Sequence, residues 1–191
     1  MANGTLKVSN IQTSSGSGTI TRGQSGETIT IPSGATVSGA GANTPAFFVR
    51  KNSSTNVSDS TWTVVDYDTV TLDTDSGFDT STYRYTIPSG AAGKYYIFNT
   101  LQGGSDGTRL IIELLSQIRV NGTEKTYAHD SYYNTATAHQ IDLSNHCILD
   151  LSAGDYLDVR GYNNVSSGTP NFQGNSSTLR SFFGGYKIIG A

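Results

Sequence analysis

Three histidines, one cysteine and a few alternating carboxylates are the residues in this chain whose side chains are suited to chemistry. His129, His139 and His146 have no spacing that suits a metal centre. His139 and His146 are seven residues apart in a β-prone run, which places them on opposite faces of a strand. All three read as loop or core histidines. Cys147 has no disulfide partner and sits in the apolar run Cys147-Ile148-Leu149, where a thiol behaves as a small hydrophobe. Serines are abundant, but no Gly-x-Ser-x-Gly elbow presents one as a nucleophile. Gly16-Ser17-Gly18 and the run Gly103-Gly104-Ser105-Asp106-Gly107 read as turns with no helix behind them, so neither cradles a phosphate. The expectation is a chain with no catalytic set, and therefore not an enzyme.

The oxygen donors suggest more. In Asp73-Thr74-Asp75-Ser76-Gly77-Phe78-Asp79 the carboxylates of Asp73, Asp75 and Asp79 alternate, as calcium ligands do. The rest of an EF-hand loop is missing, so a solvated loop stands beside a calcium site as the reading. No other cofactor is expected. Asp66 and Asp68 form a second acidic pair that would need a cation only if copies of that face converged. Tyr127, His129, Tyr132, Tyr133, Tyr162, Asn163 and Asn164 supply rigid stacking area and adaptable hydrogen bonds, the equipment for holding a glycan or a protein. Ordinary polar loops have the same composition, and that alternative stays open.

The elements that must position these groups are strands. The chain has 191 residues, room for one domain of roughly 150 residues and an arm. Its 22 glycines and many Ser, Thr and Asn residues favour turns and strands over helices. Charged residues are 14%, low for a globular chain, while aromatics reach 10%, which indicates a folded β protein with polar loops rather than a disordered one. The net charge is −3 and no run of Lys or Arg occurs, so nucleic acid is not an expected partner. No apolar stretch approaches the roughly 20 residues that span a bilayer, so membrane insertion is not expected either. The opening Met1-Ala2-Asn3-Gly4-Thr5-Leu6-Lys7 has no apolar core and does not read as a signal peptide, which leads to an expectation of synthesis in a cytoplasm.

Composition changes near Thr44-Pro45. Residues 1–43 contain no aromatic residue and repeat short β-prone pieces such as Glu27-Thr28-Ile29-Thr30-Ile31 between Gly and Ser. They read as an attachment arm or short shaft, with a flexible linker as the alternative. Residues 44–191 hold many strand candidates separated by turn signals, among them Asn121-Gly122 and Ser152-Ala153-Gly154-Asp155. An all-β antiparallel sandwich follows. Two of its strands are apolar on both faces. Tyr95, Ile97 and Leu101 oppose Tyr96 and Phe98; Phe183 and Ile189 oppose Phe182 and Tyr186. One face can fill the core, and a subunit interface is the simplest cover for the other. Tyr96, Phe98, Phe182 and Tyr186 are therefore the expected interface residues.

The order of segments from Phe78-Asp79 through Tyr83-Arg84-Tyr85 and Pro88 to Gly93-Lys94-Tyr95-Tyr96 resembles the centre of the globular head of complement C-one-q and its tumour-necrosis-factor-like relatives. Thr44-Pro45-Ala46-Phe47-Phe48-Val49 resembles the family's opening strand. Leu151-Ser152-Ala153-Gly154-Asp155-Tyr156-Leu157 resembles its Leu-x-x-Gly-Asp strand, and Phe182-Phe183-Gly184-Gly185-Tyr186 its closing strand, with Tyr for the final Phe. The resemblance covers 44–191 and implies a jelly roll that assembles as a homotrimer and binds rather than catalyses. The collagen tract and membrane stalk of animal members are missing. A head behind a Gly/Thr/Ser arm looks more like fibre and appendage proteins of tailed bacteriophages, and Gly4-Thr5-Leu6-Lys7-Val8-Ser9-Asn10-Ile11-Gln12 resembles the N-termini of marine phage structural proteins. That resemblance implies a virion protein assembled in the host cytoplasm, with other virion proteins as partners through the arm and a host surface polysaccharide or protein at the head. Capsid decoration, a head fibre and a carbohydrate-binding lectin are the rival expectations.

Overall fold

The computed structural model describes residues 44–106, 111–132 and 138–188, all within the unit Gly41–Ala191. The expected arm, 1–43, lies outside the described residues, as do Tyr133 and Ile189. Fourteen strands occur among the described residues: β1 Ala46–Arg50, β2 Thr55–Asn56, β3 Thr63–Val64, β4 Thr69–Asp73, β5 Phe78–Asp79, β6 Arg84–Thr86, β7 Gly93–Ser105, β8 Ile111–Val120, β9 Thr123–Glu124, β10 Ala128–Ser131, β11 Gln140–Leu151, β12 Tyr156–Val165, β13 Pro170–Phe172 and β14 Phe182–Lys187. No helix occurs among these residues.

All pairings are antiparallel and fall into two sheets. In the first, β7 lies between β11 on one side and β14 with β13 on the other; β1 and β4 continue beyond β14, and β2 edges β13. In the second, the order is β10-β8-β12-β6-β5, with β9 beside β8 and β3 beside β12. The alternation expected of half-buried strands is clearest in β11, where Ile141, Leu143 and Asn145 are buried and Asp142, Ser144 and His146 exposed. The inward faces close one core. Phe47 stacks on Tyr85 at 3.9 Å, Phe183 meets Phe47 edge-on at 5.0 Å, and Ile97, Leu101, Leu114, Ile118 and Val159 fill the rest. Burial pushes the Tyr95 hydroxyl up to about 12, and it donates to the carbonyl of Ala91 at 2.7 Å.

The punctuation mostly follows the sequence. Asn121 and Gly122 both have positive φ, 51° and 76°, and form the two-residue loop that joins β8 to β9. The run Gly103-Gly104-Ser105 is a correction: it is not a turn but the end of β7. Its glycines are there for close packing. A Cβ on Gly103 would lie 2.5 Å from Cδ1 of Leu114, and one on Gly104 would lie 2.8 Å from Oδ1 of Asn171.

Candidate functional site

Strand parity gives each sheet an outer face, and the two outer faces differ in kind. On the first sheet, registered neighbours build three rows. Ile148, Tyr96, Tyr186 and Ala46 form one; His146, Phe98, Gly184, Phe48 and Leu72 the next; Ser144, Thr100, Phe182, Arg50 and Thr69 the third. The four expected interface residues thus come together. Tyr96 lies 5.7 Å from Tyr186 and 5.9 Å from Phe98, and Phe98 lies 6.4 Å from Phe182. Phe48 joins them at 6.2 Å from Phe98 and 5.6 Å from Phe182. Gly184 leaves the gap into which Phe98 and Phe48 lean, since a Cβ there would sit 2.7 Å from Cζ of Phe98. Ile148 and Leu72 flank the cluster, 62% and 48% exposed. Sequence reasoning missed Phe48, Leu72 and Ile148 because β1, β4 and β11 had not been placed beside β7 and β14.

The outer face of the second sheet is polar and concave. A groove of about 460 Å³ opens there. Leu115 and Gln117 of β8, both buried, lie along it; Trp62, Tyr127 and Tyr162 contribute aromatic rings; Glu113, Glu124 and Arg160 contribute charge. Gln117 accepts from Nε of Arg160 at 2.5 Å and donates to Glu124. The Arg160 guanidinium lies over the Trp62 ring, 4.5 Å from its centre, and Trp62 lies 5.7 Å from Tyr162. His129 meets Glu113 at 2.9 Å and stands 6.0 Å from the Tyr127 ring. Burial, and then the carboxylates of Glu113 and Glu124, hold the Tyr127 hydroxyl above its ordinary value.

Three of the expected ligand-binding residues, Tyr127, His129 and Tyr162, therefore gather at one place. Others do not. Asn163 is fully buried on the inward face of β12, and its amide donates to the carbonyls of Gly104 at 2.9 Å and Asn171 at 3.1 Å. It is a structural amide, which corrects the binding reading. Tyr132 donates to Asp130 at 3.0 Å, which raises its hydroxyl. Trp62, Gln117 and Arg160 were missed. The available signal was Arg160 alternating with Asp158 and Tyr162 on the polar parity of one strand.

The carboxylates of the acidic segment are engaged locally. Among the described residues no three His, Cys, Asp or Glu side chains gather as a metal site, so Asp73, Asp75 and Asp79 are not brought together. The carboxylate of Asp73 accepts the amides of Phe78 at 2.8 Å and Gly77 at 3.1 Å. Asp79 accepts the Ser81 hydroxyl and amide and the Thr82 hydroxyl, which hold it below the usual carboxylate range. Asp75 accepts from Thr74. These carboxylates organise their own loop, as Asp155 does by accepting the Ser152 amide at 2.8 Å. Asp66 and Asp68 do not share a role: Asp66 pairs with the buried Lys51, and Asp68 accepts the Asn52 amide at 2.9 Å. Burial raises the Cys147 thiol, in keeping with its reading as an unreactive hydrophobe.

No protein-family model matches the sequence, and no curated protein matches it. Solved structures do. The globular domain of zebrafish complement 1qA superposes with a TM-score of 0.54 at 15% identity, over 76% of this chain and 98% of that one. The tumour necrosis factor Eiger from S. frugiperda superposes with a TM-score of 0.52 at 16% identity, over 76% of this chain and 93% of that one. The likeness is one of fold. The described chain is an all-β protein of two antiparallel sheets with the jelly-roll architecture of these neighbours.

Proposed function

We propose that this chain is a non-enzymatic, homotrimeric appendage protein of a phage virion, whose arm attaches to the particle and whose jelly-roll head projects to touch the host surface. One observation supports the assembly: the aromatic rows of the first sheet's outer face, with the exposed Ile148 and Leu72 beside them. Contiguous apolar patches of this kind mark contact surfaces in soluble proteins. A closed ring of such contacts gives a threefold assembly without an open edge. The binding role is supported by a groove whose polar groups are held by one another. The virion assignment rests on the resemblance of the opening residues and the Gly/Thr/Ser arm to phage structural proteins. Sedimentation of the purified chain tests the assembly, and labelling of particles with an antibody to the head tests the location. A folded monomer in the first experiment, or unlabelled particles in the second, would overturn the corresponding part.

A further inference from the structure

The groove on the second sheet has a chemistry of its own. Its aromatic rings, Trp62, Tyr127 and Tyr162, stand among four planar polar groups, those of Glu113, Glu124, Gln117 and Arg160. These groups are fixed before any ligand arrives. Gln117 is 2% exposed and holds Arg160 through its carbonyl and Glu124 through its amide. Arg160 in turn lies over Trp62, and His129 holds Glu113. Such mutual holding lowers the ordering cost of binding. The volume, about 460 Å³, falls in the range of small-molecule sites.

The donor set narrows the ligand. Two carboxylates against one guanidinium disfavour phosphates and other anions. A wholly apolar ligand would leave those charges desolvated without partners. A peptide recognised through its backbone would need an open strand edge, and the groove lies on a sheet face. A neutral sugar satisfies both halves of the site: its C–H face stacks on an aromatic ring, and its adjacent hydroxyls bond in pairs to carboxylate, amide and guanidinium edges.

We infer that the groove formed by Trp62, Tyr127, Tyr162, Gln117, Glu124 and Arg160 is a binding site for a neutral saccharide. This deepens the proposed attachment role by naming its ligand class, and it depends on a face separate from the one that carries the trimer.

The test is saturation-transfer NMR on the full chain with millimolar glucose, galactose, mannose, N-acetylglucosamine and N-acetylgalactosamine, with their disaccharides, and with sialic acid and glucuronic acid. At least one neutral sugar is expected to receive transfer. Its affinity should fall at least tenfold in both Tyr127→Ala and Glu124→Gln, with the melting temperature unchanged, because Tyr127 is 53% exposed and Glu124 lies on a two-residue edge strand. No transfer to any of these sugars, or transfer that both variants leave intact, would overturn the inference. Selective binding of sialic acid or uronic acids alone would overturn its neutrality. Release of shortened fragments from a bound oligosaccharide would uphold the ligand class and overturn the non-enzymatic reading instead. Sedimentation of the same samples reports on the trimer independently, so failure of one proposal is not failure of the other.

Discussion

Replacing Phe98 with Asp tests the assembly most directly, because the ring stands outside the core. It belongs to the outward parity of β7, among Tyr96, Phe48 and Phe182 at 5.9, 6.2 and 6.4 Å, while Ile97 and Asn99 face inward. Full burial of a Phe side chain contributes roughly 1.5–3 kcal/mol, and this one is already half-covered, so its loss costs assembly about 1 kcal/mol per subunit. Covering a carboxylate without a partner costs several kcal/mol more, taken as about 3. The sum is about 12 kcal/mol per trimer, or roughly eight to nine powers of ten in the assembly constant at 1.4 kcal/mol each. The concentration for half-assembly of a trimer varies as the square root of that constant, so it should rise by about four powers of ten. Sedimentation velocity across the micromolar range should show a trimer for the unmodified chain and a monomer for Phe98→Asp, with the same β-type circular dichroism. Phe98→Leu, which keeps an apolar side chain, should still assemble. A Phe98→Asp protein that sediments as a trimer would refute the assignment of this face, and an unmodified chain that sediments as a folded monomer would refute the assembly itself.

Three further outcomes are expected. Gly161→Ala should lower stability by about 1–3 kcal/mol, read as a fall in the urea midpoint at constant slope, because its Cβ would lie 2.5 Å from Cδ2 of Leu101 and 2.6 Å from Cζ of Phe172. Asp158→Ala should cost about 3–5 kcal/mol by the same measurement. Asp158 is fully buried beneath Arg119 and bonded to it at 2.7 and 2.9 Å, so its removal leaves the largely buried Arg119 guanidinium without its carboxylate. Removing residues 1–43 should leave a folded, trimeric head that no longer enters particles; normal incorporation of the truncated chain would move the attachment site into the jelly roll.

Parity made much of the fold legible. Strands at Ala46–Arg50, in the run that begins at Lys94 and in the run that ends at Leu151 could be read from their aromatic and β-branched residues and from the turn residues around them. The two-faced aromatic strands singled out the four interface candidates by parity alone, and the pairing of β14 with β7 puts them on one surface. Short elements such as β2, β9 and β13 escaped, since two or three residues carry no periodicity. Gly103 and Gly104 misled because a glycine needed for close approach looks the same in sequence as one needed for a turn. Asn163 misled because composition was weighed over parity: its neighbours Gly161 and Val165 on the same side of β12 face the core. The groove was half-visible. Its residues come from five separate segments, and only the register of β3, β12, β8 and β10 brings Trp62, Arg160, Gln117 and His129 alongside one another.

The difference between the two outer faces bears on how assembly and binding could coexist in one small head. A strand has two sides, and in each sheet one side is used up by the core. What remains on the two sheets is an apolar surface around Phe98 and a charged groove around Gln117. Burial suits the first, because its rings lose water at little polar cost. It does not suit the second, where Glu124 and Arg160 would be desolvated against a neighbouring subunit. Assembly through the first sheet therefore leaves the second facing solvent. Three copies of the groove would then point away from the axis, where a surface carrying many identical sugars could engage more than one at a time. Weak single-site affinity is compatible with firm attachment under that geometry, since linked sites raise avidity by roughly two to four powers of ten without any new contact.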